Sequence, residues 1–214
     1  SSPPGRSEKV IELYTGPTAN GHRAALALEM FGVPYRAHKM NLQAGETRTP
    51  QYLAINKAGA IPAIVDDEGP GGTKITLAQS GAIVLYLAEK TGKLIPQDPA
   101  RRAMAMQWFM HACSDVAVTA GAMFQFSTFA PDKTPAQVEY FEKRFVGFMK
   151  PCDEQLAGRE YLADELSIAD LALYPVYAVR KGIVEKHAQL ANLARWGAAM
   201  AARPEVARGM AVSA

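Results

Sequence analysis

The chain has 214 residues, 49% of them hydrophobic and 21% charged, with a formal net charge of +2. That is enough chain for one large domain or two small ones around a real core, and the balance is that of a globular protein. No Lys/Arg run or basic stripe interleaved with aromatics marks a nucleic-acid partner, and no apolar run approaches the length of about 18 residues that spans a bilayer.

The opening segment, Ser1 to Ser7, is a polar tail without the apolar centre of a signal peptide, so the cytoplasm is the expected compartment. Val10–Tyr14 reads as a short buried strand, and Gly16-Pro17-Thr18-Ala19-Asn20-Gly21 as a turn cluster. Residues 22–31 have the apolar spacing of a helix packed on a sheet, with Asn20 as its expected N-cap and Gly32 as its stop. Tyr35–Met40 is the next strand, which completes a right-handed βαβ unit. A weaker helix is expected at Pro50–Ile55, then strands at Ala63–Asp66 and Lys74–Leu77 around the loop Glu68-Gly-Pro-Gly-Gly72. Gln79–Lys90 is helical. The order βαβ, α, ββα predicts a thioredoxin-like α/β domain over residues 8–90.

Gly92 to Pro99 holds a glycine and two prolines and reads as a linker. After it the pattern is helical throughout: a long apolar stretch over 100–126, a second over Pro135–Leu156, a third opened by Ser167-Ile-Ala-Asp170, and a fourth over Asn192–Ala202. Ser167 with Asp170 three residues on has the form of a capping box. Residues 99–214 are therefore expected to be all-helical.

The segment Asn56-Lys-Ala-Gly-Ala-Ile61-Pro62, followed by Gln79-Ser80-Gly81, carries the most chemistry. An X-Pro bond can be cis at small cost, and a buried cis bond turns the N–H and C=O of the preceding residue, Ile61, outward like a strand edge. Ser80 at a helix start offers a hydroxyl and free N–H groups to a carboxylate. Together these describe a site for a short peptide with a free α-carboxylate. The two cysteines, Cys113 and Cys152, are far apart and read as reduced thiols. His22, His38, His111 and His187 have no ligand spacing, so no metal is expected.

From about Val10 to Pro204 the chain resembles the cytosolic glutathione transferases. The likeness rests on Ile61-Pro62, on Gln79-Ser80-Gly81, and on Ser167-Ile168-Ala169-Asp170-Leu171. Within that superfamily, Pro17-Thr18-Ala19-Asn20-Gly21-His22 is most similar to the bacterial Nu class, which is related to the disulfide-bond oxidoreductases and the yeast nitrogen-regulator protein. The resemblance implies glutathione as co-substrate, a homodimer, and either a small disulfide or an apolar electrophile as second substrate.

A glutathione enzyme must supply a thiolate, and lowering a thiol pKa by about two units takes roughly 2.7 kcal/mol. A helix N-terminus gives about 0.3–1 kcal/mol, sometimes ~2, and one hydrogen bond to the anion about 1.5–3. The resemblance places Thr18 and Asn20 beside the sulfur as donors; the same residues also suit a turn former and a plain helix cap. Tyr14, four residues earlier, is the alternative thiol partner, since several classes use a tyrosine near the end of the first strand. Ser80 would hold the γ-glutamyl carboxylate, and Gln79 would face the ammonium. Relatives of the class carry Glu at the position of Gln79, whereas classes with Gln-Ser borrow an acid from the partner subunit's long helix, where this chain has Asp115. Thr47 and Lys57 are expected near the glycyl end, and Arg144 is a candidate from the second long helix. Trp108, Phe109, Phe124, Phe126 and Phe129 are candidates to line an apolar second-substrate pocket between the domains. The sequence thus supports a glutathione-dependent disulfide reductase first, a conjugating or thioether-cleaving transferase second, and a non-catalytic binding protein third.

Overall fold

The computed structural model describes residues 10–212, and Ser1 to Ser7 lies outside them. These residues form two compact units: 10–91 together with 208–212, and 92–207.

The first unit is a four-stranded sheet with helices. The strands are β1 (Ile11–Thr15), β2 (Tyr35–Lys39), β3 (Ala63–Asp66) and β4 (Ile75–Ala78), in the order β2-β1-β3-β4. β1 and β2 run parallel, and the other pairs antiparallel. Leu13 pairs with both Ala37 and Ile64, so the fully buried Leu13 and Ile64 sit at the centre of the sheet. Helix α1 (Ala19–Phe31) carries Ala24, Ala25 and Ala27, small enough to let it approach closely, and all three are buried. Gly32 ends α1 at φ 67, with its N–H and that of Val33 returned to the Glu29 and Leu28 carbonyls. Helix α2 (Pro50–Ile55) follows a 3₁₀ turn at Glu46–Arg48, and α3 (Ser80–Thr91) follows β4. Buried Asp66 pins α3 to β3 by accepting from Tyr86 Oη at 2.6 Å and Lys90 Nζ at 2.7 Å.

The second unit is helical. It contains α4 (Pro99–Met110), a π-helical turn (His111–Val116), α5 (Ala117–Phe129), α6 (Pro135–Gln155), α7 (Ile168–Ala178), α8 (Lys181–His187), α9 (Ala191–Ala201) and the start of α10 (Pro204–Val212). The capping box is present: Ser167 Oγ accepts from the Ala169 N–H, and Asp170 Oδ2 accepts from the Ser167 N–H at 3.0 Å. Asp170 does more than cap. Its Oδ1 also accepts from Trp196 Nε1 at 2.9 Å and from the Leu162 N–H, which ties α7 to α9 through a fully buried carboxylate.

The Ile61-Pro62 bond is cis, as the sequence indicated. Several boundaries differ from expectation. Thr18, not Asn20, is the N-cap of α1, because the extended backbone of Thr18 lets its Oγ1 reach the Gly21 N–H, while Asn20 is already inside the first turn. The strand expected at Lys74–Leu77 is shifted by one, to Ile75–Ala78. The long apolar stretch runs from Pro99 to Phe129, broken by the π turn. The helical half was expected to reach residue 214, yet residues 208–212 of α10 belong with the first unit. There Gly209 packs on α1 so closely that a Cβ would lie 2.5 Å from Leu26 Cα, and Arg208 pairs with Glu29 at 2.7 Å. No described helix is long and apolar enough to cross a membrane.

Candidate functional site

The site is built where β1 turns into α1. Thr18 Oγ1 accepts the Gly21 N–H at 3.0 Å, which satisfies one of the free donors at the helix start. The bond uses an oxygen lone pair, so the hydroxyl proton of Thr18 remains available to donate. The turn is tight: a Cβ on Gly21 would fall 2.2 Å from the Gly16 carbonyl oxygen, so only glycine fits there. A Cβ on Gly16 would lie 2.9 Å from Ile61 Cδ1, which places the cis-proline segment directly against the turn.

Asn20 Oδ1 accepts from Arg23 Nη1 at 2.9 Å and from Ser80 Oγ at 3.3 Å. Arg23 Nη1 also donates to Ser80 Oγ at 2.7 Å. One network, buried at Arg23 and Ser80 and exposed at Asn20, therefore joins the start of α1 to the start of α3. A guanidinium carries only donors, so the Asn20 atom facing it is the oxygen, and the amide N–H₂ is turned the other way. Arg23 is a site residue that the sequence reading passed over. Its signal was present: it lies three positions after Asn20, on one helical face, in an otherwise apolar helix.

Ser80 is buried and Gln79, just before it, is exposed with φ 73. A left-handed glutamine is strained, and such strain gathers at functional sites. The segment before Pro62 is braced from below. Tyr52 Oη and Asn56 Nδ2 both donate to the Ala60 carbonyl, at 2.7 and 2.6 Å, and Arg48 Nη1 donates to the Ala58 carbonyl at 3.2 Å. Burial pushes the Tyr52 hydroxyl up to about 12. Lys57 is exposed on this segment. Thr47 is only 5% exposed, which leaves little of its side chain for a ligand.

Tyr14 points elsewhere. Its neighbour Thr15 faces α1, since a Cβ on Gly21 would lie 2.8 Å from Thr15 Oγ1. Side chains alternate along a strand, so Tyr14 lies on the opposite face. There it stacks on His38 with centroids 4.7 Å apart and meets Tyr52 of α2 edge-on.

In the helical unit, Asp115 sits half-exposed in the π turn, 3.0 Å from His111 Nδ1, at a cavity of about 490 Å³ lined also by Trp108 and Pro151. Arg144 is exposed and lies over the Phe148 ring, 5.7 Å from its centroid. Trp108 and Phe109 are core residues, Phe126 packs on Phe141, and Phe124 and Phe129 are 50% and 66% exposed. Neither cysteine is in a disulfide, and burial pushes the Cys152 thiol up to about 12, which makes it inert.

Residues 9–89 match the glutathione S-transferase N-terminal domain. The chain is 35% identical over 168 residues to Disulfide-bond oxidoreductase YfcG of Escherichia coli (strain K12), a match that covers 78% of each chain. It is 29% identical over 222 residues to Disulfide-bond oxidoreductase YghU of the same organism, covering 95% of this chain and 75% of that one. Two solved structures are similar along nearly their whole length. One is a glutathione transferase from Burkholderia graminis with two glutathione molecules bound per subunit (33% identity, TM-score 0.87, covering 97% of this chain and 90% of that one). The other is a glutathione transferase from Pseudomonas putida with one glutathione disulfide bound per subunit (32% identity, TM-score 0.86, covering 97% and 93%). The thioredoxin-like sheet followed by a helical half is thus shared architecture, and the chain belongs to the glutathione S-transferase family.

Proposed function

We propose that this protein is a glutathione-dependent oxidoreductase that reduces small disulfides by thiol exchange. The observation that carries the reading is the make-up of the α1 start. It presents the Thr18 hydroxyl and the Asn20 amide, and the whole first unit contains no cysteine, so the reacting sulfur must arrive with the ligand. The names of the curated relatives and the glutathione disulfide bound in the Pseudomonas putida enzyme point the same way.

In this reading Thr18 and Asn20 donate to the glutathione thiolate at the positive end of α1. The thiolate attacks one sulfur of the disulfide, a new S–S bond forms, and the second sulfur leaves as a thiolate that takes up a proton. A second glutathione thiolate attacks the mixed disulfide and releases the remaining thiol, giving glutathione disulfide. Ser80 and the N-terminus of α3 receive the γ-glutamyl carboxylate. The Ile61 backbone pairs with the peptide, and Pro62 holds that segment against the turn. Lys57 attracts the glycyl carboxylate. Thr47, being buried, would contribute through its backbone.

Gln79 brings no charge to the γ-glutamyl ammonium, so Asp115 from a second copy is assigned that role. The exposed Met104, Met110, Val118, Phe124 and Phe129 along α4 and α5 support a homodimer. Arg144 of the second long helix would have to leave the Phe148 ring, on which its guanidinium lies, to reach glutathione. Residues 8–90 are assigned glutathione binding. The cytoplasm is the compartment in which these thiols stay reduced.

The exposed Phe124 and Phe129 pair favours one other reading, conjugation or thioether cleavage on an apolar electrophile. Turnover of 2-hydroxyethyl disulfide against an aryl halide, each with glutathione, separates the two. Turnover of the disulfide alone supports the first, and of the halide alone the second. Binding of glutathione with turnover of neither leaves a binding protein.

A further inference from the structure

We propose that Arg23 is a positioning residue that couples the two ends of the glutathione site, setting the Asn20 amide toward the sulfur and holding the Ser80 hydroxyl for the carboxylate. This rests on the glutathione reading above.

The geometry is specific. Arg23 is 2% exposed, and its Nη1 donates to both Asn20 Oδ1 and Ser80 Oγ. Without a donor-only partner, the Asn20 amide can turn over and present its oxygen to the sulfur, where it would repel a thiolate. With Arg23 in place the oxygen is committed, and the N–H₂ group is the only end left to face outward. Ser80 is set in the same way. Its oxygen accepts from Arg23, so its proton must point to an acceptor. That acceptor is Asn20 Oδ1 at 3.3 Å, a long bond that a carboxylate can readily replace.

The test measures KM for glutathione, kcat, and the pKa of the bound glutathione thiol from its thiolate absorbance, in wild type, Arg23→Met and Arg23→Lys. Arg23→Met is expected to raise KM about tenfold and the thiol pKa by about one unit, the worth of one hydrogen bond to a charged group. Lysine keeps the charge and reaches Asn20, three positions away on the same helix, but its shorter side chain does not extend to Ser80 on α3. Arg23→Lys should therefore leave the thiol pKa near wild type and still raise KM several-fold. In an Asn20→Ala background, neither substitution should shift the thiol pKa further. Wild-type KM and thiol pKa in a folded Arg23→Met protein overturn the proposal, as does an additive shift in the Asn20→Ala background. If Arg23→Met does not fold, wild-type KM in Arg23→Lys overturns it. Failure of both to fold makes Arg23 a core residue and overturns it as well. A wild-type protein that binds glutathione without any thiolate signal would instead refute the thiolate reading on which the proposal rests.

Discussion

Thr18 Oγ1 accepts the Gly21 N–H at 3.0 Å, and that single bond separates two duties of the residue. As acceptor it caps α1, and as donor it would face the sulfur in the proposed reaction. Thr18→Ala loses both, at about 1 kcal/mol of stability for the cap and about 1.5–3 kcal/mol of thiolate stabilisation. The rate should fall roughly 10- to 100-fold if the thiolate limits turnover. Thr18→Asp keeps the cap but has no proton to give. It should melt like wild type and be at least as inactive as Thr18→Ala. Comparable loss of melting temperature in both variants would show that the cap, not the donor, explains the effect.

Asn20→Ala should cost about as much as Thr18→Ala in rate, since it removes a comparable hydrogen bond to the anion. Tyr14→Phe should cost little, because Tyr14 faces α2 and His38 on the other side of the sheet. Paired kinetics on the two variants decide this. Inactivity of Tyr14→Phe with Asn20→Ala unimpaired would move the thiol contact to the tyrosine.

Gly209 against Leu26 predicts a stability effect far along the chain from the site. Gly209→Ala brings a Cβ to 2.5 Å from backbone, which cannot be relieved by turning a side chain. Overpacking of this kind costs about 1–3 kcal/mol. The neighbouring Arg208–Glu29 pair, with Arg208 more than half exposed, is a surface ion pair of the kind worth about 0–1 kcal/mol. Thermal melts should therefore show a larger drop for Gly209→Ala than for Glu29→Gln.

Asp170 sets a pH dependence. Burial pushes its carboxyl up to about 6, against the pull of the donors from Leu162, Ser167 and Trp196. A carboxyl whose folded value is raised contributes stability that is fully present below its ordinary value of 3.8 and is lost as pH rises through about 6. The stability advantage of wild type over Asp170→Asn should be largest near pH 4 and shrink by pH 7. Denaturant midpoints at several pH values check this, and a difference that does not change with pH contradicts it.

Much of the fold was legible because its signals are local. Ile61-Pro62 before a β-branched run and Ser167 with Asp170 three residues on are fixed by the chain within a few positions. The N-cap was misplaced because Thr18 and Asn20 are both good caps, and only the extended backbone at Thr18 decides between them. Helices α8 and α10 were missed. Each is short and carries an internal glycine, Gly182 or Gly209, and α10 owes its docking to Leu26 and Glu29, remote in sequence. Arg23 escaped notice for a related reason. A basic residue on a helix ordinarily reads as solvated, and Ser80, 57 positions later, is what gives it a buried role.

The central claim is that glutathione, and no protein cysteine, supplies every attacking sulfur. The most direct measurement is turnover of 2-hydroxyethyl disulfide with glutathione by a Cys113→Ser/Cys152→Ala protein whose fold is verified by its melt. The account predicts wild-type kcat and one glutathione disulfide formed per disulfide consumed. Loss of turnover in the folded, cysteine-free protein would mean that a protein thiol does the chemistry, and would contradict it.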